Sequence, residues 1–128
     1  MPARSYKDAK IYMYIALRRV FGAFGIELNQ PNIERAADHL LAGDAPRVTK
    51  EDIKHEIMSN HFMTNKVLDS LVAEGFILIE RAGKEYNIRI TKKGVLHLRE
   101  FDRFYREIYK EQLKMHYAYR KGGWVDVD

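Results

Sequence analysis

The sequence has no cysteine in 128 residues, so neither a disulfide framework nor a zinc site with thiolate ligands can form. Long apolar runs are also missing: runs such as that of residues 76–79 are far shorter than the roughly 20 residues that cross a bilayer. The basic residues near the amino terminus are not followed by the apolar stretch of a signal peptide. These absences predict an intracellular protein, cytoplasmic by default, with no membrane partner.

Charge is plentiful, and its balance is mildly basic. The chain has 22 Lys and Arg against 18 Asp and Glu, and the formal net charge of +4 favours an anionic partner without identifying it. A chain of this length suits one compact domain. Five basic residues are bunched after the middle of the sequence: Arg81, Lys84, Arg89, Lys92 and Lys93.

The first third of the chain has the pattern of two helices. Apolar residues recur at helical spacing in residues 5–24, with Ser5 as a cap, and again in residues 31–43, with Gly43 as the stop. We therefore predict two amino-terminal helices.

The next segment has the start and stop signals of two further helices. Thr49 followed three residues later by Asp52 resembles a capping box and predicts the start of one helix. Ser59 and Asn60 break that helix, after which helical spacing returns until Gly75, where a left-handed stop is expected. A helix, a tight turn and a second helix are predicted here.

Beyond this point the period changes from helical to alternating. Tyr86, Ile88 and Ile90 alternate with polar residues, and the turn at Gly83 predicts a β-hairpin over residues 76–91. Helical spacing then returns without a proline for most of the remaining chain, which predicts one unbroken carboxyl-terminal helix. The predicted parts of a single domain, 1–128, are the amino-terminal helices (1–47), the helix-turn-helix and hairpin (48–93), the long helix (94–121) and a flexible tail (122–128).

The order helix, tight turn, helix, glycine, hairpin, helix is that of the winged helix-turn-helix fold, which is mainly α with a small β-hairpin wing (α+β). Eight residues carry a more specific pattern: Leu71, Gly75, Phe76, Ile77, Tyr86, Ile90, Thr91 and Gly94.

This pattern resembles that of PadR-like and MarR-like regulators, which show Leu-x-x-x-Gly-Leu-Ile and later Tyr-x-Leu-Thr-x-x-Gly. Ile90 is displaced from the family's register. The resemblance covers residues 48–98 and implies a recognition helix followed by a wing. Small archaeal winged-helix proteins are similar in adding a long carboxyl-terminal helix that pairs as an antiparallel coiled coil.

In such a fold, the first turns of the recognition helix, about residues 60–74, reach base edges, while later turns pack on the core. Asn65 could pair with adenine and Lys66 with guanine or a phosphate, and the basic wing residues could contact phosphates. The alternatives are a merely solvated helix face and a charged β-edge that discourages strand pairing. The predicted DNA-contacting residues are Asn60, His61, Thr64, Asn65, Lys66, Arg81, Lys84, Arg89, Lys92 and Lys93.

The carboxyl-terminal helix has a heptad pattern, in which spacings of three and four alternate. This pattern predicts a homodimer that places two recognition helices about 34 Å apart on duplex DNA. The alternative is a monomer that folds this helix back on its own core, and Gln112 either sets the pairing register or is exposed. The predicted dimerisation residues are Leu98, Phe101, Tyr105, Ile108, Gln112, Met115 and Tyr119.

The sequence thus predicts a dimeric transcriptional regulator that reads double-stranded DNA. The alternative is an architectural DNA-binding or protein-interaction module without base-specific reading. The histidines are scattered, and the spacing of a metal site, a phosphate-binding loop and a nucleophile elbow are not found in the sequence. We therefore expect no metal, no cofactor and no enzymatic activity.

Overall fold

The structure of the protein, a computed structural model, describes four stretches of the chain: residues 9–28, 30–43, 47–82 and 85–119. The predicted cap at Ser5, the predicted contact of Lys84 and the predicted tail at residues 122–128 lie outside these stretches. The mainly α fold with one β-hairpin is confirmed. Its elements are α1 (Ala9–Gly22), α2 (Ile33–Leu41), α3 (Lys50–Ile57), α4 (His61–Ala73), β1 (Ile77–Ala82), β2 (Glu85–Ile90), α5 (Lys92–Ile108) and α6 (Lys110–Tyr119).

The core is built around α1. Ile11, Ile15 and Leu17 of this helix are buried, and the helix contacts α3, α4, α5 and β2. Because its apolar surface is wider than one stripe, α1 is enclosed by other elements instead of lying on the surface. The shorter α2 turns Ile33 and Ala37, one helical turn apart, into the core.

The predicted helix-turn-helix is confirmed as α3 and α4. The Asp52 N–H donates to the Thr49 hydroxyl at 3.1 Å and the Thr49 N–H donates to the Asp52 carboxylate at 2.9 Å, so the capping box is formed. Met58 ends α3 in the left-handed region with φ 53°. Asn60 then caps α4 by accepting a hydrogen bond of 2.8 Å from the Met63 N–H.

Thr91 joins the end of α4 to the start of α5. Its hydroxyl donates to the Gly75 carbonyl at 2.6 Å and accepts from the Gly94 N–H at 3.0 Å. Gly75 has a φ of 79°, which favours glycine. A Cβ on Gly94 would overlap the carbonyl oxygen of Phe76. The glycines and the threonine of the sequence motif are therefore explained by one tightly packed joint.

The hairpin is anchored to the core at its base. Ile77 pairs with Ile90 and Ile79 pairs with Ile88 across the two antiparallel strands. The Ile88 N–H also donates to the carbonyl of Val48, just before α3, at 2.8 Å. Since most of these isoleucines are buried, the wing extends from a fixed base.

The prediction of one unbroken carboxyl-terminal helix is wrong. Tyr109 leaves helical geometry, with φ −104° and ψ 25°, and separates α5 from α6. Leu113, His116 and Tyr117 of α6 are buried; His116 Nε2 lies 2.7 Å from the Glu56 carbonyl oxygen, and the Tyr117 hydroxyl donates to the Glu56 carboxylate at 3.2 Å. We attribute the break to these contacts, since the carbonyls in the last turn of α3 have no partner further along their helix.

Candidate nucleic-acid interface

α4 has one buried face and one exposed face. Side chains on the exposed face are Phe62, Asn65 and Lys66, which lie opposite the buried ones because successive residues are about 100° apart around a helix. The helix is therefore fixed from one side and presents an aromatic ring, an amide and an ammonium group on the other. The buried side chains are Thr64, Val67, Leu68 and Leu71.

The prediction that Thr64 contacts DNA is wrong. Its side chain is 0% exposed, and its hydroxyl donates to the Asn60 carbonyl, one turn earlier, at 2.8 Å. Asn60 is exposed, but its side-chain oxygen is used to cap the helix. The preference for asparagine at this position is the signal that could have identified that role.

The wing has one exposed cation within its described part. Arg81 of β1 lies directly opposite Tyr86 of β2, and its guanidinium donates to the tyrosine hydroxyl at 2.9 Å. The guanidinium carbon also lies 5.0 Å from the centre of the tyrosine ring. These contacts limit the freedom of a long side chain and keep the charge of Arg81 on the wing.

A cleft of about 160 Å³ lies between α4 and the hairpin. Asn65 and Asp69 line it from α4, Tyr86 lines it from the wing and Lys50 from α3. Asp69 is also exposed, so its carboxylate reduces the positive potential in the middle of α4. Within α4, the positive charge of the exposed face comes from Lys66, the sixth of its 13 residues, three positions before Asp69.

Arg89 and Lys92, both predicted to contact phosphates, are bound to α2 instead. Arg89 donates to the carbonyl oxygens of Leu41 at 3.2 Å and Gly43 at 3.4 Å, a favourable place for a cation because the carboxyl end of a helix is partially negative. The Lys92 ammonium lies 3.0 Å from the Asp38 carboxylate, and this hydrogen bond raises the pKa of Lys92. Both cations hold α2 against the base of the hairpin.

The basic residues that are bunched in sequence are therefore spread in space. Lys93 is exposed beside Gly75, at the carboxyl end of α4, and its ammonium lies 5.7 Å from the ring centre of Phe76. Lys66 is near the middle of α4, seven residues before its carboxyl end, which corresponds to about 10 Å of helix. His61 is exposed at the amino-terminal end of α4.

The predicted dimerisation residues do not lie on one continuous exposed surface. Leu98 is buried in the chain's own core, Gln112 is half-buried, and the side chain of Tyr119 lies outside the part that the structure describes. The exposed fractions are 41% for Phe101 and 52% for Ile108 in α5, and 38% for Met115 beyond the break in α6.

A shorter apolar stripe remains on α5. Phe104, which the heptad pattern missed, is 55% exposed and shares one face of the helix with Phe101 and Ile108, at spacings of three and four residues. We call Phe101, Phe104 and Ile108 the α5 stripe. Helical spacing alone could have found Phe104, because it follows Phe101 by three residues.

The other side of α5 is tied to α1. The Tyr14 hydroxyl donates to the Asp102 carboxylate at 2.5 Å, and Asp102 also lies 3.5 Å from Arg18 and 3.7 Å from Arg106. Burial, followed by the hydrogen bond to Asp102, raises the pKa of Tyr14. Tyr14 also packs on Tyr105, with ring centres 5.1 Å apart. The α5 stripe is therefore exposed on a helix whose opposite side is fixed.

Within the four described stretches, no group of three His, Asp or Glu side chains is arranged to hold a metal ion. Nor do those stretches contain a helix with the length and apolarity needed to span a bilayer.

Comparison with known proteins gives a distant likeness. No family model matches the sequence, and no curated protein matches it. Among solved structures, the chain is similar to the crystal structure of MepR, a transcription regulator of the Staphylococcus aureus multidrug efflux pump MepA. The two chains are 16% identical, the match covers 82% of this chain and 76% of that chain, and the TM-score is 0.45. The winged helix-turn-helix assignment rests on the elements of this chain itself.

Proposed function

We propose that the protein is a non-enzymatic transcriptional regulator that binds duplex DNA as a homodimer, with α4 in the major groove and the hairpin as a wing. The observation that carries this proposal is the exposed face of α4. Asn65 and Lys66 project from a helix that is held rigidly by its buried face. Without cysteine, the protein suits the reducing cytoplasm, where it would associate with the nucleoid when bound to DNA.

Each exposed polar group has a suitable partner on DNA. The Asn65 amide matches the donor and acceptor pair of adenine, and the Lys66 ammonium matches guanine or a neighbouring phosphate. Arg81 on the wing and His61 at the start of α4 would contact the backbone and set the register of the helix. Lys93 would contact a phosphate near the other end of α4.

The test is selection of bound fragments from random duplex DNA, followed by salt titrations with the selected site. Asn65→Ala should relax the preference at one base pair, at a cost of about 1–3 kcal/mol against the preferred base. Arg81→Ala should weaken binding to all sequences alike and reduce the slope of log K against log salt by about 1.

Lys92→Ala is the matched control for the wing, because its ammonium is bound to Asp38. We expect this variant to leave the salt slope unchanged. If Arg81→Ala and Lys92→Ala behave alike, the hairpin does not lie on the DNA backbone.

The homodimer is inferred from the α5 stripe. Its three side chains are each at least 41% exposed, although an isolated domain gains by burying large apolar groups. Pairing of two such stripes would bury them and place two α4 helices on one duplex. A spacing of about 34 Å would then let both helices read one face of a palindromic site.

Sedimentation of the Ile108→Asp variant tests the dimer. The added carboxylate should prevent burial of the α5 stripe and halve the measured mass. Arg103→Asp is the control, because Arg103 lies on the same helix with 92% of its side chain exposed. Equal masses for the wild type and Ile108→Asp would remove the pairing role of α5.

The α5 stripe also favours a second candidate, an architectural DNA binder or a protein-interaction module that uses α5 as its main surface. The same binding assays separate the candidates. A regulator binds its selected site far more tightly than random duplex, an architectural protein shows little difference, and an interaction module binds no DNA.

A further inference from the structure

Phe62 is the most exposed large apolar side chain in the described part of the protein, at 71%. It is the second residue of α4, and its position is set by the cap at Asn60. The ring lies on the side of the helix opposite Leu68 and Leu71, so no small rotation of α4 could bury it.

The surroundings of Phe62 are polar and cationic. Its neighbours on the exposed face are Asn65 and Lys66, and the Lys66 ammonium lies 5.9 Å from the centre of the ring. The α5 stripe, by contrast, joins three apolar side chains into one surface. A protein partner is expected to bury a contiguous apolar surface, whereas a single ring beside a cation suits a partner that is anionic and only locally apolar.

The major groove of DNA has this character. Its floor presents hydrogen-bonding groups between two rows of phosphates, and its apolar group is the C5 methyl of thymine. The first turns of a recognition helix are the part that reaches base edges. As the second residue of α4, Phe62 belongs to the part of a recognition helix that reaches base edges.

We propose that Phe62 is a specificity-determining residue that contacts a thymine methyl group in the major groove, while Lys66 binds the guanine or phosphate beside it. This assignment rests on the proposed function and adds to it a preference for thymine under the amino-terminal turn of α4. The preference depends on apolar contact, so it does not require a hydrogen bond to the base.

The experiment replaces each thymine of the selected duplex in turn with deoxyuridine, which removes only the methyl group. For wild-type protein, affinity should fall about 4-fold at one thymine per half-site, the effect of exposing roughly one CH₂ equivalent. Phe62→Ala should bind the original duplex more weakly and be indifferent to deoxyuridine at that position. Val72→Ala, which truncates an exposed apolar side chain further along α4, is the control and should keep the wild-type discrimination.

The two proposals fail in different ways. Wild-type protein that binds no duplex DNA contradicts the proposed function itself. Wild-type protein that binds a selected site but tolerates deoxyuridine at every position contradicts only the role of Phe62. A Phe62→Ala variant that still discriminates against deoxyuridine at the same position would show that the ring does not read thymine. Because Phe62 is exposed, Phe62→Ala should unfold at the wild-type temperature, so loss of folding does not confuse the result.

Discussion

The exposed faces of α4 and α5 both carry aromatic rings, but the rings have different neighbours. On α4, Phe62 stands alone beside Asn65 and Lys66. On α5, Phe101 and Phe104 lie next to Ile108 and form the α5 stripe. The ring on α4 is 71% exposed and those on α5 are 41% and 55% exposed, so both surfaces are open to solvent and exposure by itself does not indicate which partner covers them.

The two surfaces differ in the side chains that surround their aromatic rings. A contiguous apolar surface gains free energy in proportion to the area that a partner covers, which favours protein association. An isolated ring within a polar and cationic surface offers little such area, so charge and hydrogen bonds must supply the affinity and the ring can only adjust specificity. On this ground we propose DNA as the partner of α4 and a second copy of the chain as the partner of α5.

The largest expected effect comes from disrupting the tightly packed joint between the end of α4 and the start of α5, on which both surfaces depend. Gly94→Ala places a methyl group against the backbone carbonyl of Phe76, which cannot move without shifting the hairpin or α5. We expect the free energy of unfolding to fall by about 3 kcal/mol, as for other overpacked sites. Urea denaturation measures it. Gly22→Ala is the control, since nothing lies within 4 Å of its added Cβ, and it should be neutral or slightly stabilising.

A smaller loss of stability, confined mainly to α5, is expected from a change in its contact with α1. Tyr14→Phe removes the hydroxyl that donates to Asp102, a hydrogen bond to a charged group worth about 2 kcal/mol. Hydrogen exchange should then increase in α5 more than in α4. Tyr86→Phe, which loses an exposed hydrogen bond on the wing, should change stability far less. Equal increases in both helices after Tyr14→Phe would mean that the two surfaces are not held independently.

The converse variant should lower the stability of α4 and leave the surface of α5 unchanged. Asn60→Ala removes the side-chain cap of α4, and loss of such a cap costs about 1 kcal/mol. Thermal unfolding would measure this cost, and the dimer mass should remain unchanged. Asn65→Ala is the control within the same helix, because it changes an exposed asparagine that caps nothing and replaces it with a better helix former. An Asn60→Ala variant no less stable than Asn65→Ala would contradict the capping role.

The helix-turn-helix and the hairpin could be predicted from the sequence because their signals are local. Thr49 with Asp52, and Gly75 at the end of α4, specify helix ends through bonds that span only a few residues. Phe62 could also have been placed, since it is out of phase with the buried Leu68 and Leu71.

The break at Tyr109 could not be predicted because its cause is distant in the sequence. Neither proline nor glycine marks it, and α6 turns towards Glu56, some 60 residues away from His116. The roles of Arg89 and Lys92 were missed for the same reason, since their partners lie in α2. A basic residue in a sequence pattern does not tell whether its charge is already paired.

The smallest expected effect comes from His97, which lies between the two surfaces, and it depends on pH. His97 stacks on Phe76 with ring centres 4.2 Å apart, beside a cavity of about 250 Å³ among α1, α4 and α5. Burial lowers the pKa of His97 below its ordinary value of 6.5, against an opposing effect of Glu74 and with a further lowering by Lys93.

Because the neutral form is favoured in the folded protein, the contribution of His97 is fully present above pH 6.5 and is lost as the pH falls through the lower, folded-state pKa. Urea denaturation between pH 7.5 and pH 5 should therefore show a steeper loss of stability for the wild type than for His97→Phe, which keeps the stacked ring and removes the titration. Parallel curves for the wild type and His97→Phe would mean that this ring takes up its proton equally well in the folded and unfolded chain.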